Sequence, residues 1–211
     1  MKNTYDISVL LHKNLPVWPG GTELNIFKSS EMSNGEICNV TELQIGGHTG
    51  THLDAPLHFI ENGKEINDIP LDNLIGACNV IYLPKIKKIY KKDLLAANIP
   101  RDCKRLIIKT DNSNLWNNLD HEFYIDYVAL SKDAAKHIVD IGIELIGIDY
   151  LSISAFNDPP EIVHQILLKE EIVILEGVDL RAIEAGAYEL ICLPIKVDNA
   201  DGIMCRAILR D

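Results

Sequence analysis

Three of the seven histidines in this chain lie within eleven residues, together with an aspartate. The segment reads GGHTGTHLDAPLH over residues 46–58 and contains His48, His52, Asp54 and His58. Imidazole nitrogens and carboxylate oxygens are the ligands that borderline divalent cations such as zinc and manganese prefer. His48, His52 and Asp54 are therefore candidate ligands of a metal ion.

The backbone of this segment decides whether those side chains can converge. Its glycines, its β-branched threonines and Pro56 disfavour a helix, so we expect an extended chain with His48, His52 and Asp54 on one face. A straight strand rises about 3.3 Å per residue and would hold His48 and Asp54 roughly 20 Å apart, too far for one ion. The chain must therefore bend, and Gly50 can adopt the positive φ that a bend needs.

Two further polar residues occur in apolar surroundings later in the chain. His164 shares a helical stripe with Leu167 and Leu168. A histidine on such a face is usually a core residue with hydrogen-bonded nitrogens, so the pattern alone leaves core residue and metal ligand both open. Glu176 follows the hydrophobic strand predicted at 172–175, where a carboxylate is costly unless it is paired or bound to metal.

Three other residues each have two interpretations. His58, two residues after Pro56, is either a site residue or a core histidine. Trp18 lies in the Pro- and Gly-rich loop at 14–21 and is either a lid packed over the core or a ligand contact. Asp149 ends a predicted strand and is either a site residue or a buried carboxylate that accepts hydrogen bonds from the next turn, and we leave it out of the site.

The composition indicates a folded protein without a polyanionic partner. The 211 residues, 47% hydrophobic and 24% charged, fit a single domain over 1–211. A net charge of −11 at pH 7 argues against nucleic acid and anionic membranes as partners, and no run of eighteen apolar residues occurs. The five cysteines are scattered and the N-terminal residues lack an apolar segment, so we expect a cytoplasmic protein.

The remaining segments predict strands with single helices between them. The predicted helices lie at 70–76, 91–98, 131–141 and 158–168, with Gly76 closing the first, Ser131 capping the third and Asp158 capping the fourth. The predicted strands lie at 6–11, 22–30, 37–45, 79–83, 105–109, 144–149, 172–175, 189–197 and 204–209. Strands outnumber helices, so we expect an α/β fold with a mixed sheet or partial barrel and interspersed helices.

The chain resembles the cyclase-like metal-dependent hydrolases, a family that includes bacterial kynurenine formamidase (arylformamidase) and isatin hydrolase. Residues 50–56, GTHLDAP, are the signature of this family. Weaker family-like stretches follow in the family's order: VWPG at 17–20, GID at 147–149 with Ser152, His164 with Leu167 and Leu168, EG at 176–177 before Asp179 and Leu180, and DG at 201–202 with Arg206 and Ala207. The resemblance spans nearly the whole chain.

This resemblance implies the swivelling β/β/α architecture and a site for two divalent ions, with zinc favoured over manganese. His48, His52 and Asp54 would hold one ion, and Asp54, His164 and Glu176 would reach the second. Members of the family are homo-oligomers, so the resemblance also implies a dimer or tetramer.

The resemblance further implies hydrolysis of a small amide, above all N-formylkynurenine to kynurenine and formate in tryptophan catabolism. His58 would be the general acid and base, and Trp18 would contact the substrate ring. Gly21, Ser154 and Lys109 stand where many members have aspartate, aspartate and arginine. These departures leave the reaction type standing and leave the substrate open.

Other functions remain open at this point. Related activities are the hydrolysis of isatin or another small cyclic amide, and the polyketide-type ring closure that gave the family its name. Alternatively, the metal could have only a structural role and stabilise a loop, and the chain would then be a binding or structural protein rather than an enzyme. Structural zinc sites are usually closed and rich in cysteine, however, and no cysteine lies in the motif.

Overall fold

The structure is a computed structural model that describes residues 3–117 and 123–211. Within these residues, strands and α-helices alternate along most of the chain. In chain order the elements are β1 (Thr4–Asp6), β2 (Asn25–Ser30), β3 (Val40–Gln44), β4 (His52–Asp54), α1 (Leu71–Leu74), β5 (Ile75–Tyr82), α2 (Lys91–Ala96), β6 (Arg105–Lys109), α3 (Lys132–Asp140), β7 (Leu145–Ile148), α4 (Pro160–Leu168), β8 (Val173–Glu176), β9 (Gly186–Pro194) and β10 (Gly202–Arg210).

Seven of the strands close into a mixed barrel in the order β10-β4-β8-β7-β6-β5-β9, because β9 also pairs with β10. The four strands from β5 to β8 are parallel, and the remaining neighbours are antiparallel. β1 extends the sheet at β10. The expected α/β fold with a mixed sheet is confirmed, and its barrel is closed rather than partial.

The period of two along the central strands divides their side chains between two hydrophobic cores. In β6, Ile107 joins the core inside the barrel, whereas Leu106 and Ile108 join a second core shared with α2, α3 and α4. The parallel strands are therefore covered on both faces, which explains their nearly continuous apolar sequences. None of the described helices is long and apolar enough to cross a membrane.

Two predicted helix boundaries are wrong for local reasons. Asp158 does not cap α4: Pro159 occupies the N-cap position without a side-chain hydrogen bond, and the Asp158 carboxylate pairs with Lys88. Gly76 does not close α1 but lies within β5, at a φ of 140°. A Cβ there would lie 3.0 Å from the guanidinium of Arg105, so this glycine makes room for that side chain.

The predicted pair of strands before the motif forms a separate two-stranded sheet, β2–β3. Nearly all of its residues are exposed. The prediction of Ser131 as the cap of α3 is confirmed, because its hydroxyl accepts a hydrogen bond from the backbone of Ala134 at 3.3 Å. The strand predicted at 6–11 is wrong except at its first residue, because β1 spans Thr4–Asp6.

Candidate metal centre

The motif bends at Gly50, as the spacing of the candidate ligands requires. Gly50 has a φ of 67°, and a Cβ at this position would lie 2.8 Å from the side chain of Leu11. The next residues form the short strand β4, whose Leu53 belongs to the core inside the barrel. His52 and Asp54 therefore face the opposite side of the strand, toward the candidate site.

Strand pairing brings the distant candidate ligands to β4. His52 lies opposite Glu176 of β8 in the register, and His52 Nε2 is 3.3 Å from Glu176 Oε2. His164 comes from α4, with its Nε2 atom 3.4 Å from Glu176 Oε1 and 3.8 Å from Asp54 Oδ2. His48 Nδ1 lies 2.8 Å from Asp54 Oδ1. The five residues proposed as ligands from the sequence therefore converge around Asp54.

The donor atoms at the centre of this cluster fit a cation. His52 Nε2 and both carboxylate oxygens of Asp54 are buried and make no hydrogen bond of acceptable geometry within the described residues. Among residues 3–117 and 123–211, two sets of side chains have ligand atoms within 4.8 Å of one another, namely His52, Asp54 and Glu176, and His48, Asp54 and His58. Buried polar atoms without partners are costly, and a divalent cation bound by nitrogen and oxygen would satisfy them.

Contacts behind the candidate ligands fix their orientation. They are His52 Nδ1 to the carbonyl oxygen of Gly50 at 3.0 Å, Glu176 Oε1 to the backbone N–H of Ile153 at 2.7 Å, and His164 Nδ1 to Ser154 Oγ at 2.9 Å. Metal-binding histidines almost always use their second nitrogen in such a contact. His52 Nδ1 donates to a carbonyl, so Nε2 is the nitrogen that faces the cluster and is available to a cation.

Asp201 belongs to the same cluster and was not predicted as a site residue. Its Oδ2 atom is 2.9 Å from His48 Nε2 and 2.8 Å from His58 Nδ1. The sequence separations are 153 and 143 residues, so no local spacing could have indicated these contacts. The only available signal was its position in the family-like stretch at 201–202.

The charges of the cluster favour positive groups within it. Burial lowers the pKa of His48, but Asp54 and Asp201 more than offset this effect and raise the pKa to about 10. Burial likewise acts against His52, and Asp54 and Glu176 raise its pKa to about 9. These values describe the protein groups alone. A bound cation would take the place of the extra protons, because metal ligands must lose their protons on binding.

The pKa values of the two buried carboxylates are lowered, whereas those of His48 and His52 are raised. Burial acts to raise the pKa of Asp54, but the neighbouring His48 and His52 hold it well below its usual value. Burial and Asp54 act to raise the pKa of Glu176, and His164 and His52 lower it overall. Both carboxylates are therefore anionic near neutral pH and available to a cation.

His58 differs from these histidines in its electrostatics. Burial is the largest effect and lowers its pKa, and the nearby His48 adds to this effect while Asp54 opposes it. His58 is the last residue of a short 3-10 helix, Pro56–His58, that follows β4. Its ring stacks on the ring of His48, with the two centroids 4.0 Å apart. His58 is therefore neutral at neutral pH and belongs to the cluster rather than to an apolar core.

A cavity of about 410 Å³ opens onto this cluster and is lined by Trp18, His58, His164 and Glu176, among others. Trp18 packs against Phe123 and Phe156, with ring centroids 5.2 and 5.3 Å away, and also forms part of the cavity wall. Its two interpretations are therefore compatible. The cavity joins an aromatic wall to a polar floor, the usual composition of a small-molecule site.

Asp149 is not part of the candidate site. It is completely buried and accepts hydrogen bonds from the backbone and hydroxyl groups of Thr110 and Ser113, at 2.6 to 3.0 Å. Burial raises the pKa of this carboxyl, against the effect of these donors. It is a structural carboxylate, as one interpretation of the sequence expected, but the turn it holds is the one after β6 and not the one that follows Asp149 in the chain.

Comparison with known proteins agrees with the fold. The family model described as "Putative cyclase" matches residues 5–155. Kynurenine formamidase of Bacillus mycoides (strain KBAB4) is 35% identical, over 97% of this chain and 96% of the relative. Cyclase-like protein 2 of Arabidopsis thaliana is 34% identical, over 98% of this chain and 79% of the relative.

Among solved structures, a potential metal-dependent hydrolase with cyclase activity superposes with a TM-score of 0.86 at 27% identity, over 100% of this chain and 98% of the other. The barrel and its buried His/Asp/Glu cluster define a metal-dependent hydrolase. The chain belongs to the putative cyclase family and is a hydrolase of non-peptide C–N bonds.

Proposed function

We propose that this chain is an arylformamidase that cleaves N-formylkynurenine to kynurenine and formate, a step of tryptophan catabolism. The observation that carries the proposal is the cluster around Asp54 at the floor of an aromatic-walled cavity. Further support comes from the formamidase relative, which is similar over nearly its whole length. N-formylkynurenine has the matching parts, an aromatic ring and a formamide.

In this proposal the converging side chains would hold two zinc ions. His48, His52 and Asp54 would hold one ion, and Asp54, His164 and Glu176 would hold the other. Bound zinc lowers the pKa of water and polarises a carbonyl. The candidate sets found among the described residues contain no cysteine, and a cavity adjoins them; both features favour an open catalytic site over a closed structural one.

His58 moves the proton in the reaction. It takes a proton from the attacking water, whose oxygen bonds to the formyl carbon, and it gives that proton to the nitrogen as the C–N bond breaks. Its lowered pKa leaves the ring neutral and able to accept a proton near pH 7. The products are the aryl amine and formic acid, which releases its remaining proton to the solvent to become formate.

Trp18 offers one face of the cavity to the aromatic ring of the substrate. An aromatic pair contributes about 0.5–1.5 kcal/mol beyond area burial, equivalent to roughly a 2- to 13-fold change. Trp18→Leu, which keeps an apolar side chain, should lower kcat/KM for N-formylkynurenine by about that factor. A formamide without an aromatic ring is the matched control substrate, and its kcat/KM should change little.

The test of the function is a substrate panel read as kcat/KM. Protein stripped with a chelator should be inactive, and zinc or manganese should restore cleavage of N-formylkynurenine. Isatin and simple cyclic amides or esters should be poorer substrates. Efficient isatin opening without formamide cleavage would refute the substrate, and no hydrolysis by metal-loaded protein would favour the cyclase or binding role. Metal content near zero after reconstitution would refute the metal site.

We propose in addition that the chain forms a homo-oligomer, a dimer or tetramer, through the hairpin of residues 25–44. The hairpin exposes six large apolar side chains: Ile26, Phe27, Met32, Ile37, Val40 and Leu43. A two-stranded hairpin is at best marginally stable alone, and its twenty residues are about the number that one partner contributes to a standard interface. A second copy of the chain would cover these side chains.

Sedimentation of the purified protein tests this assembly. Ile37→Asp, at a side chain 96% exposed, should shift the protein toward monomer without lowering its thermal stability. Leu95→Asp, at an exposed position on α2 remote from the hairpin in sequence, is the matched control and should leave the assembly intact. A wild-type monomer at micromolar concentration would contradict the proposal.

We also propose a cytoplasmic location, because the described cysteines are all free thiols. Free thiols persist in reducing compartments. Cell fractionation tests this proposal, and recovery of the protein outside the cytoplasm would contradict it.

A further inference from the structure

One carboxylate oxygen of Asp201 contacts two imidazole rings at the edge of the cluster of candidate ligands. Asp201 Oδ2 lies 2.8 Å from His58 Nδ1 and 2.9 Å from His48 Nε2. The two rings are nearly parallel, with an interplanar angle of 27°. A carboxylate anion only accepts hydrogen bonds, so both of these ring nitrogens carry protons.

This contact determines which nitrogen of His58 is free to react. In its neutral form the ring carries one proton, and the contact with Asp201 places that proton on Nδ1, where it is donated to the carboxylate. Nε2 is then left as the acceptor, and His58 lines the cavity. Without the carboxylate, the proton would distribute between the two nitrogens, and the ring could rotate.

The backbone keeps Asp201 in place beside the motif. Its carbonyl oxygen accepts a hydrogen bond from the N–H of Ala55 at 2.9 Å, and the next residue, Gly202, pairs with Asp54. A Cβ at Gly202 would lie only 2.2 Å from His48 Cε1, so the His48 ring lies directly against this glycine. The start of β10 therefore positions the carboxylate and one of the rings together.

We infer that Asp201 is a positioning residue that holds His58 with a proton-free Nε2 facing the substrate cavity. This inference rests on the proposed function for the reaction itself. His58 Nε2 accepts the proton of the attacking water and later gives it to the leaving nitrogen, while Nδ1 keeps its proton throughout. While His58 carries both protons, the negative charge of Asp201 stabilises the imidazolium. Asp201 takes up no proton, so the proton that leaves the water is the one that His58 gives to the nitrogen.

Asp201 has a second contact, to His48, and the test must separate the two. A residue that only supported the ligand His48 would act through metal affinity. A residue that acts through His58 would change kcat at full metal occupancy, and its effect would vanish once His58 is gone. KM should change little, since Asp201 is not among the residues that line the cavity.

The first measurement is the tautomer of His58 in the wild-type full-length protein labelled with ¹⁵N-histidine. Long-range ¹H–¹⁵N spectra of the zinc-loaded and metal-free forms report which ring nitrogen carries the proton, and loss of the signal in His58→Gln assigns it. We expect the Nδ1–H form in the wild type and a mixture of tautomers in Asp201→Asn. A wild-type His58 in the Nε2–H form would overturn the inference without any activity measurement.

The second measurement is a double-mutant cycle on kcat, with metal content measured for every variant at saturating zinc. Asp201→Asn should lower kcat by about 10- to 100-fold, the usual effect of removing an outer partner of a site histidine. In the His58→Ala background the same change should lower kcat less than about 3-fold, because coupled residues are not additive. Asp198→Asn, at an exposed carboxylate in the same loop, is the matched control and should leave kcat unchanged.

The outcomes separate this inference from the proposed function. Equal losses from Asp201→Asn in both backgrounds, or a loss fully explained by missing metal, would refute the role through His58. If Asp201→Asn fails to fold, the same kcat cycle is measured with Asp201→Ser. The tautomer of His58 in the wild-type protein tests the inference without any variant of Asp201. If the wild-type enzyme cleaves no formamide, the proposed function fails, whereas the His58 tautomer continues to test the contact.

Discussion

Replacing Glu176 with glutamine tests directly whether the buried cluster binds metal. Glu176 is 3% exposed, and its two oxygens have different neighbours. Oε1 accepts the backbone N–H of Ile153 at 2.7 Å, and Oε2 lies 3.3 Å from His52 Nε2. A glutamine can keep its oxygen at the first position and place its NH2 group at the second. The change therefore preserves the volume and one hydrogen bond but removes a negative charge and a ligand atom.

The change affects the metal-free and metal-loaded proteins separately. Without metal, Glu176 is paired with His52, whose pKa it helps to raise to about 9, and its own pKa is lowered, so removing its charge should lower the free energy of unfolding. With metal at about 100 times Kd, binding adds roughly 2.7 kcal/mol to the wild type. Loss of outer-sphere partners weakens metal affinity by about 10- to 100-fold, and loss of a ligand should reach at least the upper value. A 100-fold weaker site gains only about 0.4 kcal/mol at the same metal concentration.

Thermal unfolding at fixed free zinc measures this difference. A change of 1 kcal/mol shifts Tm by about 2–4 °C in a chain of this length, so zinc should raise Tm by about 5–11 °C in the wild type and by about 1–2 °C in Glu176→Gln. Glu170→Gln, at an exposed position after α4, is the control and should respond to zinc as the wild type does. If zinc raised Tm equally in the wild type and in Glu176→Gln, and the two proteins bound equal amounts of metal, Glu176 would be a structural residue and not a metal ligand.

Three further predictions follow from the described contacts. His58→Ala should retain metal and lower kcat by about 10²- to 10⁴-fold, whereas His52→Ala should lose both metal and activity; metal release by His58→Ala would instead make His58 a ligand. Asp149→Asn cannot accept all the hydrogen bonds now made to this carboxylate, so urea unfolding should show a loss of about 1–3 kcal/mol, while the exposed Asp140→Asn should change stability little. Cys38 is exposed and should react first with an alkylating reagent at pH 8, because the other thiols are buried and burial raises their pKa values; mass spectrometry showing rapid labelling elsewhere would contradict this order.

The strands at the centre of the barrel could be predicted from the sequence because their signal is local. The run at 105–109 forms β6 with the predicted bounds, since covering both faces of a parallel strand demands a continuous apolar sequence. Closure of the barrel could not be predicted. It depends on the pairing of β9 with β10 and of β10 with β4, and no local pattern specifies which strand edges meet.

The candidate site shows the same division between local and distant information. His48, His52 and Asp54 could be recognised because they lie close together in a segment that cannot be a helix. His164 and Glu176 were ambiguous from burial and polarity alone, and the family resemblance was needed to select them. Their approach to Asp54 arises from the β4–β8 register and from the placement of α4, which are properties of the assembled fold.

Two residues that depart from the family pattern, Gly21 and Ser154, lie on different sides of the cluster. One of them therefore bears on the choice of substrate and the other on metal binding. Gly21 lines the cavity, where the missing side chain changes the space and charge available to a substrate. Ser154 lies behind His164, where a hydroxyl rather than a carboxylate meets Nδ1 at 2.9 Å. An outer partner tunes the basicity of a ligand, so Ser154 bears on the metal affinity of the proposed ligand His164, and Gly21 bears on the choice of substrate. A metal-loaded enzyme that prefers another small amide would therefore point to the cavity around Gly21, whereas weak loading at His164 would point to Ser154.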